Sequence, residues 1–411
     1  MTAVAAGSAQ RPRWGFIVLL GAASGLSAFG MASVLPVLPS LERALSTDFA
    51  TLQFVVSAYL LGLGLFQPIQ GVLCDRFGRR PVLLGGFAVF MVASLLASFA
   101  PSLPLLVLAR WLQAMGVSVA TVVTRAIVRD SFEPEPAAIA LAFITAVMGF
   151  SPVMAPVVGG LVAGTWGWRA VFWMHATVAA LLLALMFVRL RETRPADVRP
   201  MPVGDLFRGF GVLLRERRFL GHSLVYSFVS GASFIFVTVG AAMFERLFGL
   251  TAARFGTMWS GLALSYVLGA ASAGALSRRF GTRRVMRVGV TMNLVSAVLF
   301  AAAALAPKPM LAASVFALAV QALSNGLASP LALAGAVGDH PSLAGVAAGL
   351  SSSIAMLISM CCAMLTGMLY DGRPLTTAIP LLIACIGGQF ALRMAQPGAD
   401  TPRGRAARRR D

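Results

Sequence analysis

Apolar residues in this chain run in stretches of about 20, the length that crosses a ~30 Å hydrocarbon core as a helix. Twelve such stretches follow one another, at roughly 14–39, 50–72, 82–100, 103–128, 137–164, 168–188, 220–244, 255–276, 285–305, 310–337, 343–369 and 375–395; they are numbered as spans 1 to 12. One polar interruption is long: residues 189 to 219 hold eight Arg, four acidic residues and three Pro, a composition that cannot sit in lipid. The pattern predicts an all-α membrane protein of twelve transmembrane helices in two six-helix halves. Its boundaries are an N-terminal half over 1–188, a cytoplasmic linker over 189–219, a C-terminal half over 220–395 and a basic tail over 396–411. Residues 1–10 and 397–411 are expected to be disordered, with Arg408, Arg409 and Arg410 meeting anionic headgroups.

The turn between spans 2 and 3 reads Gly71-Val72-Leu73-Cys74-Asp75-Arg76-Phe77-Gly78-Arg79-Arg80-Pro81. A weaker copy lies 203 residues later between spans 8 and 9, as Gly274-Ala275-Leu276-Ser277-Arg278-Arg279-Phe280-Gly281-Thr282-Arg283-Arg284. Equal placement in each half marks a duplication, with the halves related by an axis along the membrane normal and a substrate site between them. In the first copy Gly71 is expected to let helices approach closely and Gly78 to take a conformation that a Cβ penalises. Asp75 is expected to pair with arginines of the turn, among Arg76, Arg79 and Arg80, or with a helix N-terminus. This predicts a latch that stabilises one access state; a plain positive anchor explains the arginines but not Asp75 or the glycines. With Arg278 in place of the Asp, the second copy is expected to keep only the anchor.

Composition agrees with the spans: 58% of residues are hydrophobic, 12% charged, and the mean hydropathy is +0.84. A net charge of +18 would suggest nucleic acid in a soluble protein, yet 26 of the 33 Lys and Arg fall at one set of alternate span ends. The positive-inside bias therefore predicts both termini in the cytoplasm and no nucleic-acid partner. The first span is too long for a secretory signal and lacks a cleavage site. The four cysteines have neither disulfide nor metal-ligand spacing, and no metal cluster, nucleophile–base pairing or phosphate-cradling loop is recognisable, so neither a metal, a cofactor nor an enzyme is expected.

Over nearly its whole length this arrangement resembles the major facilitator superfamily, with Cys74 where the loop 2–3 signature usually has a small residue. It further resembles the twelve-helix drug:proton antiporters, in particular their bicyclomycin/chloramphenicol-resistance (Bcr/CflA-like) branch. The segments that carry this are Leu35-Pro36-Val37-Leu38-Pro39 in span 1, and Arg110-Trp111-Leu112-Gln113-Ala114-Met115-Gly116 with Thr124-Arg125-Ala126-Ile127-Val128-Arg129-Asp130 in span 4. Gly149-Phe150-Ser151-Pro152-Val153-Met154-Ala155-Pro156-Val157-Val158-Gly159-Gly160 in span 5 and the following Gly167-Trp168-Arg169 complete the set. In the family the span 5 segment marks antiporters, and spans 1, 4, 7 and 10 line the cavity. The resemblance implies a small-molecule carrier of the bacterial cytoplasmic membrane, working as a monomer.

The residues have their own physical reading. Pro152, Pro156, Gly159 and Gly160 predict a kinked helix with a smooth packing face. Arg110, Gln113, Val117, Thr121 and Thr124 share a helical face, a candidate cavity wall; snorkelling of Arg110 to headgroups is the alternative. Tyr226, Ser230 and Ser233 on span 7 and Gln321 and Asn325 on span 10 are candidate substrate contacts, or else interhelical hydrogen-bonding groups.

One departure matters. The branch holds an acidic residue in span 1 shortly before Leu35, where this chain reads Phe29-Gly30-Met31-Ala32-Ser33-Val34, and none of its fifteen acids sits at mid-membrane. Candidate proton sites are His175, Glu245 and Asp75. The expected function is secondary active transport by alternating access, with proton-linked export of small lipophilic compounds. The alternatives are a carrier of an organic anion or other metabolite centred on Arg110, and a non-transporting membrane receptor on a carrier scaffold.

Overall fold

The computed structural model describes residues 14–194, 202–306, 310–338 and 343–396; the tails expected to be disordered lie outside them. Twelve helical stretches are long and apolar enough to cross a membrane. Spans 1 to 6 are Trp14–Ala44, Phe49–Phe77, Arg79–Ser98, Leu103–Ser131, Glu135–Trp166 and Trp168–Arg189. Spans 7 to 12 are Arg217–Phe248, Ala253–Phe280, Thr282–Leu305, Leu311–Gly338, Ala344–Leu369 and Pro374–Met394. An even number of crossings puts both chain ends, and the turns after spans 2 and 8, on one side, here the terminal face; the turns after spans 1 and 7 lie on the far face.

Span 1 is not the single helix expected from its apolar run. Its α-helix stops at Ala32, a 3-10 turn covers Leu35–Val37 and a short helix resumes over Leu38–Ala44. Pro36 and Pro39 remove two backbone donors just where the regular ladder fails, and Ser33 adds a hydroxyl bond to the Phe29 carbonyl at 2.8 Å. The linker also holds a helix, Val203–Arg215, unremarked in its charged sequence. Leu206 and Leu213 of this helix pack with Val72 of span 2 and Val346, Ala347 and Leu350 of span 11.

Close packing rests on small residues, which let helix backbones touch where lipid supplies no hydrophobic drive. A Cβ on Gly86 of span 3 would lie 2.5 Å from the Gly116 carbonyl of span 4. The halves meet along spans 5 and 8 and along spans 2 and 11. Gly71 does not make the close approach expected of it, since a Cβ there would meet nothing within 4 Å; span 2 turns that position away from its neighbours.

The duplication is written in the backbone. The described residues with positive φ are Ser46 and five glycines. Ser46 (φ 47) pairs with Gly249 (φ 64) and Gly78 (φ 99) with Gly281 (φ 86), each at the same 203-residue offset. Asp48 caps the short helix that opens span 2 by accepting the Thr51 N–H, and Thr251, again 203 residues on, caps span 8 by accepting the Arg254 N–H.

Candidate functional site

At the terminal face, span 2 ends and span 3 begins at Gly78, whose φ of 99 only glycine adopts cheaply. The turn brings Asp75 and Arg79 one helical turn apart, and Arg79 Nη1 donates to Asp75 Oδ1 at 2.5 Å while its Nε donates to Asp130 Oδ2, at the end of span 4, at 3.0 Å. Arg79 is 6% exposed, so its charge is stabilised mainly by these two carboxylates. Arg80 donates to the Phe187 carbonyl at 2.9 Å and lies over the Phe187 ring. Arg76 sits over Phe77, and Arg125 and Arg129 are exposed.

Two further residues complete this cluster. Glu192 accepts the N–H groups of Arg79 at 2.9 Å and Arg80 at 3.1 Å, capping span 3. Arg194 donates to the carbonyls of Asp75 at 2.8 Å and Arg76 at 2.9 Å, at the end of span 2. An anion thus meets the positive helix end and a cation the negative one. Partial burial alone would raise the Glu192 pKa, but N–H donors from Arg194, Arg79, Arg80 and Thr193 outweigh it and hold the carboxyl below its ordinary 4.5. The sequence signal for this pair was an acid and a base two residues apart directly after span 6; only the fold shows which turn they reach.

Within the first half, Arg110 is 1% exposed. Its Nη1 donates to the Gly30 carbonyl at 3.1 Å and to Gln113 Oε1 at 2.9 Å, its Nε reaches the Val55 carbonyl at 3.4 Å, and its guanidinium lies 4.1 Å over the Tyr59 ring. Gln113 passes the chain on to Ser94 at 2.7 Å, and Tyr59 donates to the Ser27 carbonyl at 2.9 Å. The cation is held by carbonyl dipoles and an aromatic face, with no carboxylate among its described partners. Of the polar stripe on span 4, Gln113 and Thr124 are buried with Arg110 and Thr121 is half-buried; in this conformation the stripe packs against neighbouring helices.

His175 lies close by, 0% exposed, with Nε2 2.7 Å from Ser33 Oγ and the rings of Phe29, Phe90 and Phe172 around it. The Ser33 hydroxyl also reaches the Phe29 carbonyl, and the second ring nitrogen of His175, Nδ1, has no hydrogen-bond partner among the described residues. Span 5 presses against the same place: a Cβ on Gly159 would lie 2.1 Å from the Ser33 carbonyl. Pro152 and Pro156 lie inside this helix and Gly160 is buried beside Gly159. On its other side, the Ser260 hydroxyl of span 8 donates to the Val153 carbonyl.

In the second half, Gln321 Nε2 and Asn325 Nδ2 both donate to Ser233 Oγ, at 2.9 and 2.6 Å, joining spans 10 and 7. Ser230 is 9% exposed and Tyr226 half-buried on the same helix. Glu245 lies elsewhere, at the far face, 3.6 Å from Arg43. His175, Glu245 and Asp75 are therefore brought to three separate places.

The sequence profile of the Major Facilitator Superfamily matches residues 20–364. The chain belongs to the major facilitator superfamily. It is 30% identical over 381 residues to multidrug resistance protein D of Escherichia coli (strain K12), covering 89% of this chain and 92% of that one. It is 25% identical over 384 residues to a bicyclomycin resistance protein homolog of Haemophilus influenzae, covering 92% and 94%. Among solved structures it is similar to a bacterial homolog of the human lysosomal transporter Spinster in an inward-facing, occupied conformation, with a TM-score of 0.77 at 18% identity over 94% of this chain and 98% of that one. The last likeness concerns the fold. As a member of the superfamily the chain is an integral membrane transporter, not an enzyme.

Proposed function

We propose that this transporter exports small lipophilic compounds across a bacterial cytoplasmic membrane in exchange for protons, as a monomer with both termini in the cytoplasm. The observation that carries the reading is the alignment of about nine-tenths of the chain with relatives named for multidrug and bicyclomycin resistance. The interior is consistent with it: one half holds a neutral hydrogen-bonding cluster of Ser233, Gln321 and Asn325, and the other a sealed cation, Arg110. Of the three proton candidates we favour His175. Asp75 and Glu245 are engaged in ion pairs, whereas His175 has a ring nitrogen without a partner among the described residues, beside the span 1 segment where the branch carries its acid.

The test is proton movement in proteoliposomes holding a pH-sensitive dye, with bicyclomycin, a lipophilic cation and a small organic anion added in turn under a pH gradient. Release of the gradient by the first two, lost in His175→Gln, is the expected result. A second reading, an organic-anion carrier, draws on the lack of any carboxylate among Arg110's described partners. Response to the anion alone, abolished by Arg110→Ala, would replace the export reading with that one.

A further inference from the structure

The offset that relates the two glycine-arginine turns also relates Leu41-Glu42-Arg43 at the end of span 1 to Phe244-Glu245-Arg246 at the end of span 7. The two corners share their φ-positive residue and their cap, so they are structural copies as well as sequence copies. Across the far face they clasp each other. Arg246 Nη2 lies 3.2 Å from Glu42 Oε1, and Arg43 Nη2 lies 3.6 Å from Glu245 Oε1. Each Glu takes the Arg of the other copy, the reciprocal contact that a twofold axis produces. Beneath the charges Leu38, Leu41, Leu52 and Phe244 are fully buried, and Phe49 packs on Tyr370 with ring centroids 5.1 Å apart.

From this geometry we infer that Glu42, Arg43, Glu245 and Arg246 form a twofold-related charged clasp that holds the far face shut in this conformation and parts once in each transport cycle. They are positioning residues, and none needs to touch the substrate. The pairs are partly exposed, with side-chain exposures of 22% and 48% for Glu42 and Arg246 and of 41% and 73% for Glu245 and Arg43. Water therefore replaces much of what is lost when they part, and the clasp biases the equilibrium rather than locking it. A lone surface ion pair would impose no such symmetry. Here opening must break both pairs together, because the corners move with their halves.

The inference rests on transport by alternating access but not on export of drugs, and its readout needs no substrate. Spin labels at Ala44 and Arg254, in a background with the native cysteines replaced and transport verified, report the far-face distance. Glu42→Arg with Glu245→Arg gathers four arginines, and the distance should lengthen by several ångströms. Glu42→Arg with Arg246→Glu keeps each facing pair opposite in sign, and should restore the short distance. Glu42→Gln with Glu245→Gln, which adds no repulsion, should shift the short population about threefold toward the long one. An unchanged distance in folded four-arginine protein, or in the double Gln protein if the former does not fold, overturns the clasp; so does failure of the exchanged pair to rescue.

Discussion

The two copies of the glycine-arginine turn keep one thing and lose another. Both bend at a φ-positive glycine, Gly78 or Gly281, and both lay an arginine over the phenylalanine that follows it, Arg76 over Phe77 at 5.5 Å and Arg279 over Phe280 at 5.2 Å. Among the described residues a charge relay is seen in the first turn, whereas in the second Arg278 stands where Asp75 would be and Thr282 where Arg79 would be. The backbone corner is thus common to both halves, and the Asp75–Arg79 pair is laid on top of it in the first. At the far face the opposite happened, since both Glu-Arg corners kept their charges where each serves the other.

The largest effect should come from cutting the relay. Arg79→Ala leaves Asp75 and Asp130 facing each other without a cation, which should cost about 3 kcal/mol, the low end for a buried pair, and cut transport in proteoliposomes at least tenfold by roughly the same arithmetic. Thermal unfolding in detergent checks the first figure and initial rates the second. Next comes Gly78→Ala against Gly281→Ala. Each should cost about 1–3 kcal/mol for a positive φ with extended ψ. A Cβ on Gly78 also lies 2.5 Å from Glu192 Oε2, whereas one on Gly281 meets nothing within 4 Å. Pushing Glu192 aside uncaps span 3, so the first variant should be worse by about 1 kcal/mol; equal losses in thermal unfolding would mean the cap contributes nothing.

Arg278→Asp tests whether the second turn is merely missing an acid. With Thr282 uncharged and position 278 exposed, the change should stay within about 0.5 kcal/mol and leave transport rates alone. The smallest effect is the pH dependence of Glu192. Its carboxyl titrates below the ordinary 4.5, so its stabilising contribution is complete above that pH and fades as pH falls through the folded value. The stability gap between the native protein and Glu192→Gln should close on acidification below pH 4.5; a gap that widened there would reverse the sign.

Much of this was open to reading in the sequence. Twelve spans, the polar linker and the latch turn follow from apolar run length, charge and glycine spacing, all of which are local. What escaped depends on helices coming together. Glu192 and Arg194 reach a turn more than a hundred residues earlier, and no periodicity connects them. The burial of Arg110 depends on Tyr59, Gly30 and Val55 from two other spans. The far-face clasp is half legible: the offset set by residues 71 to 81 maps Glu42 and Arg43 onto Glu245 and Arg246, but only the fold brings the two corners together. The linker helix is masked by its charges, although Leu206, Phe210 and Leu213 lie on one helical face.

Arg110 has a last consequence, for what the carrier must refuse. A guanidinium sealed among carbonyls and a phenol ring sets a positive potential deep in the first half in this conformation. Chains of water that enter a transporter as it rocks are short circuits for hydronium, and a fixed cation is the barrier that stops them. Such a charge needs no counter-ion to do this, and a neighbouring carboxylate would weaken it. The same residue that leaves the interior electrostatically unbalanced would thus keep the membrane from leaking.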